Sequence, residues 1–307
     1  MIDRTDWDKA FSGYYKGEVA FNAAMKAHTS LAIGGPADVV VSPEDPVSVK
    51  NIVLLLGRER MPFLPLGGGT NVLVRDGGIE GVVIKCKAFG RIEIIHDAGD
   101  AVELFVEAGV PLQKLVNVCR ARGYAGMEGL AGIPGTLGGA ICGNAGSYGC
   151  EIKDVLISAV ILRADGSLER FRAEELGFGY RSSHVLPDDI VLSANLGLRK
   201  DDAGEVAART DEFFSRKKAA QPIWERSAGC VFRNPEGVSA GRMIDEAGCK
   251  GMRVGSIEVS GLHANFFVNR GEGRAADYLA LMEKVSGRVM ERFGVRLEPE
   301  IRIVGRG

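Results

Sequence analysis

The chain has little of what metal, nucleic-acid and membrane proteins rely on. Only four of its 307 residues are histidine, and His28, His96, His184 and His263 are scattered with no H-E-x-x-H arrangement. The six cysteines (Cys86, Cys119, Cys142, Cys150, Cys230 and Cys249) contain no C-x-x-C pair and no zinc spacing. No metal site is expected, and the thiols read as reduced, in a cytoplasmic protein. Charge is balanced, with 38 Lys and Arg against 40 Asp and Glu and a net charge of −2. Without a basic stripe, nucleic acid is excluded as the main partner. No apolar run approaches the ~18 residues that would cross a bilayer, so no membrane insertion is expected. The N-terminus, MIDRTDWDKAFSGYY, is acidic and lacks the apolar core of a signal peptide. No internal repeat stands out. The length allows two or three domains and a large core.

What the chain does have is glycine in particular places. Residues 132–149 read GIPGTLGGAICGNAGSYG, with seven glycines in eighteen positions. Each glycine costs roughly 0.5–1 kcal/mol inside a helix or strand, so this tract is expected to be neither. Its use lies in sharp bends, or in exposing bare N–H groups to something bulky and anionic. A second loop, LGGGTNVLV at 66–74, has the same character and follows the apolar run 62–66. Two anion cradles in one chain point to a long diphosphate ligand such as a dinucleotide. A Rossmann site needs G-x-G-x-x-G between a strand and a helix. Here Gly67-Gly68-Gly69-Thr70-Asn71 runs into another strand, so loops are expected to grip the ligand.

Periodicity gives the remaining elements. Residues 45–58 place Val49, Ile52, Val53 and Leu56 on one helical face. Strands are expected at 63–66, 72–74, 82–84, 92–95 and 104–107, and a helix at 111–122 between a proline start and Gly123. Strands follow at 155–163, 168–171 and 190–198, the first two joined by an Ala164-Asp165-Gly166-Ser167 turn. A charged amphipathic helix over 204–220, stopped by Pro222, reads as a linker. Beyond it come a helix at 240–248, a strand at 265–269, a long helix at 274–293 and a final strand at 300–304. In the long helix Tyr278, Leu281, Met282, Val285, Val289 and Phe293 form an apolar face. The pattern is α+β, with helices segregated from mixed sheets.

Three short segments carry chemistry as an ensemble: GYRSS (179–183), AGCVFRNP (228–235) and LEPEIR (297–302). By default Arg181 is a solvated cation, Cys230 a small buried hydrophobe and Glu300 an edge-strand charge. Together they offer a proton donor, a guanidinium fork for a carboxylate, and a carboxylic acid.

The order of motifs resembles the UDP-N-acetylenolpyruvoylglucosamine reductase family. The matching pieces are N-x-x-M-x-x-H-T-S-x-x-I-G-G-P-A-D (22–38), LPLGGGTN (64–71), GMEGLAGIPGTLGGAICGNAGSYG (126–149), GYRSS, AGCVFRNP, AGRMID (240–245), KGMRVG (250–255) and LEPEIRIVG (297–305). They span nearly the whole chain. The resemblance implies a vanillyl-alcohol-oxidase/PCMH-type FAD-binding fold with two flavin subdomains and a C-terminal substrate domain. The implied boundaries are 1–98 (joined by the strand at 296–307), 99–203 and 204–295.

It further implies non-covalent FAD, NADPH as reductant, and a nucleotide-sugar enolpyruvate as substrate in peptidoglycan precursor synthesis. FAD would lie along Gly34, Gly35, Pro36 and Ala37, then along Leu66, Gly67, Gly68, Gly69, Thr70, Asn71 and Val72. The glycine tract would add Ile133, Pro134, Gly135, Thr136, Gly138, Gly139, Ala140, Asn144, Ala145 and Gly146. Arg181, Cys230 and Glu300 match the catalytic positions, while Tyr180, Arg181, Arg233, Asn234, Lys250 and Asn265 fall where substrate is held. The implied chemistry is hydride from flavin N5 to C3 and a proton from Cys230 to C2, with Arg181 and a protonated Glu300 stabilising the enolate. Many members carry serine where this chain has Cys230, and the chain resembles the shorter subclass, without a tyrosine-bearing lid. Two other readings fit less of the motif set. One is an oxidase of the same fold with a histidine-tethered flavin, for which His28 and His184 are the candidates; the other is a non-catalytic nucleotide-binding module.

Overall fold

The computed structural model describes residues 15–307, so the N-terminal stretch read above lies outside the described residues apart from Tyr15. The chain forms two compact units. One comprises the residues up to Phe21, Asp38–Gly68 and Gly81–Arg216; the other Asn22–Ala37, Gly69–Glu80 and Lys217–Gly307. No helix among the described residues is long and apolar enough to cross a membrane.

The first unit has two cores. In one, helix α1 (Pro46–Arg58) buries Val49, Ile52, Val53 and Leu56 against Val39, Val41, Val82 and Ile84 of a four-stranded sheet. That sheet runs in the order Gly17–Ala24, Pro36–Pro43, Ile79–Ile84, Phe63–Pro65, and its last pair is parallel. Asp45 starts the helix by accepting the Ser48 N–H at 2.7 Å, with Pro46 inside the first turn. The other core lies on an antiparallel sheet ordered Leu168–Arg172, Leu156–Leu162, Ile190–Lys200, Ala101–Glu107, Ile92–Ala98. Helix α2 (Leu112–Arg122) buries Leu112, Leu115, Val116 and Cys119 there and ends at Gly123, whose φ of 68° is the left-handed cap expected of glycine.

Two expectations need correction. The glycine tract does contain a helix, α3 (Leu137–Cys142). The fully buried Leu137 and Ile141 anchor it, and Gly138 lets it approach so closely that its N–H bonds the Ala108 carbonyl at 2.9 Å. Burial and close approach outweigh the entropic cost of glycine. Helix α4 (Ala203–Ala220) is also more than a linker. Over its first turns Val206 and Thr210 are buried, Phe214 packs on the core, Arg209 donates to Glu128 and Asp201 (2.9 and 2.7 Å), and Arg120 grips Asp211 with two bonds. Charges that suggested a solvated face are occupied in docking it.

The second unit has its own core. Helix α5 (Ala240–Glu246) and helix α6 (Ala275–Phe293) pack with a three-stranded antiparallel sheet, Arg253–Val254, Ile257–Val259 and Phe267–Asn269. On α6 Tyr278, Leu281, Met282, Val285 and Val289 are buried as the spacing predicts, and Phe293 at its end is half-buried. Arg302–Val304 pairs in parallel with Val72–Val74 and so ties the chain's end to the strand after the glycine loop.

Gly138 offers a direct test of the α3 packing. A Cβ there would lie 3.0 Å from the Ala108 Cβ and 3.3 Å from its carbonyl oxygen. Gly138→Ala is expected to destabilise the protein by about 1–3 kcal/mol through overpacking. An unchanged denaturant midpoint would refute this account.

Candidate active site

In the first unit the two glycine loops meet at one hydroxyl. A Cβ built on Gly67 would lie 2.6 Å from Thr136 Oγ1 and 3.9 Å from the Gly139 nitrogen. Thr136 precedes α3 but makes no capping hydrogen bond to it, so its hydroxyl is directed at Gly67. Gly139 is exposed, and a Cβ there would have the same Thr136 hydroxyl, at 3.7 Å, as its nearest neighbour. The result is a cradle of bare backbone with one hydroxyl at its floor, and a side chain at 67 would fill it. Such a surface suits the diphosphate of a dinucleotide.

Arg181 is presented by a tight turn in the same unit. Gly179 and Ser182 exchange backbone bonds of 3.0 and 3.3 Å, which leaves Tyr180 and Arg181 at the tip. Arg181 has a φ of 53°, in the left-handed region that non-glycine residues seldom enter. Asn144 holds the turn. It is fully buried and donates to the Gly179 carbonyl and to Glu151 Oε2, both at 3.0 Å, while its own Oδ1 accepts the Lys153 N–H at 3.2 Å. Its side chain is therefore occupied inside the protein. Glu151, Lys153, Tyr180 and Arg181 line one cavity of about 430 Å³. The Glu151 carboxyl is held below its ordinary pKa by the Lys153 hydrogen bond, helped by the Asn144 amide and the Arg181 charge against the opposing effect of burial.

In the second unit the segment bearing Cys230 is fastened on both sides. On one side Cys230 bridges Phe266, and the Val231 N–H bonds the Asn265 carbonyl at 2.8 Å. The Asn265 side chain, 2 % exposed, both accepts the Phe232 N–H (2.9 Å) and donates to the Phe232 carbonyl (2.7 Å). On the other side Glu300 N–H donates to the Val231 carbonyl and Arg233 N–H to the Glu298 carbonyl, each at 2.8 Å. Cys230 and Glu300, about seventy positions apart in sequence, thus sit on neighbouring strands of backbone. Asn71 joins them: its amide donates to the Glu300 carbonyl at 3.3 Å, and its own carbonyl accepts the Arg302 N–H. Ser30 links the remaining loops, its N–H bonding Gly69 and its hydroxyl bonding the Ser227 carbonyl at 2.6 Å. The 28–30, 69–71, 227–230 and 298–300 segments therefore converge.

Other expected site residues have definite internal partners. Gly35 and Gly69 permit backbone contact, since a Cβ would come within about 2 Å of the Asp76 and His28 carbonyl oxygens respectively. Asn234 Oδ1 accepts the Ala240 N–H at the start of α5, and Lys250 pairs with Asp245 at 2.6 Å. One candidate escaped the sequence reading: Lys217, at the end of α4, is only 2 % exposed. The run Arg216-Lys217-Lys218 looks like a solvated helix face, and only burial singles out the middle residue, because ammonium groups are seldom taken out of water.

The chain is similar to known proteins along almost its whole length. Residues 221–304 match the family model described as the UDP-N-acetylenolpyruvoylglucosamine reductase C-terminal domain, and residues 37–172 match an FAD binding domain. A UDP-N-acetylenolpyruvoylglucosamine reductase from Geotalea uraniireducens is 41 % identical over 290 residues, covering 94 % of this chain and 95 % of the relative. The crystal structure of UDP-N-acetylenolpyruvylglucosamine reductase from Thermus caldophilus superposes with a TM-score of 0.81 at 36 % identity, covering 95 % of this chain and all of that one. The Physcomitrella patens BBE-like 1 structure has a TM-score of 0.50 at 18 % identity over 63 % of this chain and 44 % of its own, which speaks for the fold alone. The fold is the expected α+β, vanillyl-alcohol-oxidase-type FAD-binding fold. With relatives this similar along almost its whole length, the chain belongs to the UDP-N-acetylenolpyruvoylglucosamine reductase family.

Proposed function

We propose that this chain catalyses the FAD-dependent, NADPH-driven reduction of UDP-N-acetylglucosamine enolpyruvate to UDP-N-acetylmuramate, a step in peptidoglycan precursor synthesis. The observation that carries this reading is the pairing of Cys230 and Glu300 through the Val231 carbonyl, with Asn71 of the glycine loop bonded to Glu300. An acid, a thiol and a flavin-type loop on one rigid scaffold suit reduction of a polarised double bond. We assign residues 1–98 with 296–307 and residues 99–203 to flavin binding, and 204–295 to substrate. The cytoplasm is the compartment that suits six free cysteines and a UDP-linked substrate.

The cradle formed by Gly67, Thr136 and Gly139 fits the diphosphate of FAD. Leu66, Gly68, Ile133–Gly135 and the 34–37 and 69–72 loops would complete its binding surface. Bound there, FAD would supply two-electron hydride chemistry, with NADPH as reductant and C3 of the enolpyruvyl ether as acceptor. The protein's own groups handle the charge and the proton. Reduction at C3 leaves negative charge at C2, delocalised into the neighbouring carboxylate, and Arg181 meets that carboxylate with a planar fork. The strained backbone at Arg181, buttressed by Asn144, keeps the guanidinium presented before substrate arrives. Glu300, protonated, donates to the same oxygens. Cys230 then delivers the S–H proton to C2; a thiol with a reference pKa of about 8.5 is mostly protonated at neutral pH. Tyr180, Arg233, Asn234, Lys250 and Asn265 make up the proposed substrate-binding group. Asn265 acts by fixing the Cys230 segment, and Lys250 by holding charge opposite Asp245. Lys217 joins them as a buried cation suited to phosphate.

The decisive experiment has two stages: bleach the purified yellow protein anaerobically with NADPH, then add UDP-N-acetylglucosamine enolpyruvate. Return of the oxidised flavin spectrum is expected; a spectrum that stays bleached would reject the function. Cys230→Ala is expected to leave bleaching nearly intact while slowing the second stage by roughly 10²–10⁴-fold. Equal losses in both stages would make Cys230 structural. Arg181→Lys should lose most turnover, since an ammonium cannot supply the fork, and wild-type turnover would remove Arg181 from the mechanism. Gly67→Ala, which pushes on the Thr136 hydroxyl, should weaken FAD binding at least about tenfold by displacing a cradle contact; undiminished retention by flavin fluorescence would place the diphosphate elsewhere.

A further inference from the structure

Glu151 closes a ring of hydrogen bonds beside the turn that carries Arg181. It lies opposite Gly146 in the short antiparallel pair formed by Gly146–Ser147 and Cys150–Glu151. Through Oε2 its carboxylate accepts from the Asn144 amide at 3.0 Å and pairs with the Lys153 ammonium at 2.6 Å. Lys153 also donates its backbone N–H to Asn144 Oδ1 at 3.2 Å. The backbone of Glu151 is fixed as well, its N–H bonding Asp154 Oδ2 at 2.7 Å. Gly146 has no room for a side chain, because a Cβ there would lie 2.7 Å from both Glu151 Cγ and the Cys150 carbonyl oxygen. That glycine makes space for the stem of this carboxylate.

A side-chain amide nitrogen carries two hydrogens. In Asn144 one goes to the Gly179 carbonyl and the other to Glu151, each at 3.0 Å. The same Gly179 carbonyl accepts the Ser182 N–H at 3.3 Å, so Asn144 holds the atom that closes the turn. An ionised carboxylate and a carbonyl can only accept, and the Lys153 N–H can only donate, so all three neighbours permit a single orientation of the amide. Asn144 is fully buried, and bulk water is not at hand to replace a lost acceptor. Asn144 (φ 41°) and Arg181 (φ 53°) both occupy the left-handed region, a strained conformation that persists only where neighbours hold it.

We propose that Glu151 is a positioning residue for Arg181: by taking one N–H of Asn144 it keeps the other on the Gly179 carbonyl, and so keeps the Arg181 turn in the shape that meets the substrate carboxylate. The inference rests on the reading of Arg181 as that carboxylate's partner. Glu151 itself moves no proton and touches no reacting atom. Without it, one N–H of a buried amide has no acceptor and regains one only by swinging off Gly179. The turn is then free to relax, and the guanidinium must be ordered during the reaction instead of before it, which slows the step.

Glu151→Ala and Glu151→Gln in the full-length, flavin-loaded protein test this, with rates taken per bound flavin. Glu151→Ala should slow the enolpyruvyl half-reaction roughly 10–100-fold, the effect of leaving one buried donor without its acceptor. Bleaching by NADPH should keep its wild-type rate. Glu151→Gln should recover most of the loss, because its amide oxygen still accepts from Asn144 without the charge. In an Arg181→Lys background Glu151→Ala should slow nothing further, since the fork it positions is already gone. A wild-type half-reaction in Glu151→Ala would reduce Glu151 to an ion-pair partner of Lys153. Glu151→Gln as slow as Glu151→Ala would mean that the charge acts and not the bond. Equal slowing in both Arg181 backgrounds, or of both half-reactions, would place the effect away from the turn. Each of these outcomes overturns the inference. If Arg181→Lys alone reacts at full speed, the reading of Arg181 falls and takes this inference with it; a slow Arg181→Lys beside a fast Glu151→Ala sinks the inference alone.

Discussion

The second unit depends on one short piece of backbone being hydrogen-bonded on both sides. Residues 230–233 lie between 265–266 and 298–300, with Val231 donating to Asn265 and accepting from Glu300. An isolated extended segment would leave these polar groups to water, and a buried one must satisfy them all. The Asn265 amide closes the remaining gap by bonding both the N–H and the carbonyl of Phe232. A thiol on such a segment has little freedom to drift, and the proton transfer proposed for Cys230 would reward that restraint because misplacement is costly in rate.

The first unit solves a different problem, that of exposing backbone without losing shape. Its glycines are not loose. Gly138 brings α3 onto Ala108, and Gly67 faces the Thr136 hydroxyl with no room for a side chain. Rigidity comes from the leucine, valine and isoleucine core beneath, and from Asn144, which bonds Glu151, Lys153 and the Gly179 carbonyl of the turn carrying Arg181. Positive φ at both Asn144 and Arg181 stores backbone strain at the place where a fixed cation is most useful. The loops proposed to bind and react stand on elements proposed to do neither, a division that lets each be shaped separately.

Much of this is legible in the sequence, and what is not has physical causes. Helices α1, α2 and α6 follow from apolar spacing and end signals, since Asp45, Gly123 and the six-residue face of α6 each act locally. Strand Gly17–Ala24 gives no signal, because its residues alternate between half-buried and exposed and none is fully buried. Pro36–Pro43 is masked by the glycine-proline motif it begins in, though Val39 and Val41 are wholly buried. The α3 helix contradicts its own composition, because two buried side chains decide the matter where propensity points elsewhere. Lys217 and Asn144 illustrate the same limit: one looks solvated and the other ligand-facing until burial and bond partners are known.

The sequence by itself determined the kind of chemistry available and the family, because an ordered set of motifs, with Arg181, Cys230 and Glu300 among them, is a property of residue identity and spacing. Only the tertiary structure decided which of those residues act outward and which act on the protein itself. Asn265 and Asn144 hold backbone, and Lys250 is paired with Asp245. The reason is that a polar group's role is set by what lies within hydrogen-bonding distance, and those neighbours come from positions far away along the chain, brought together only by burial of the core.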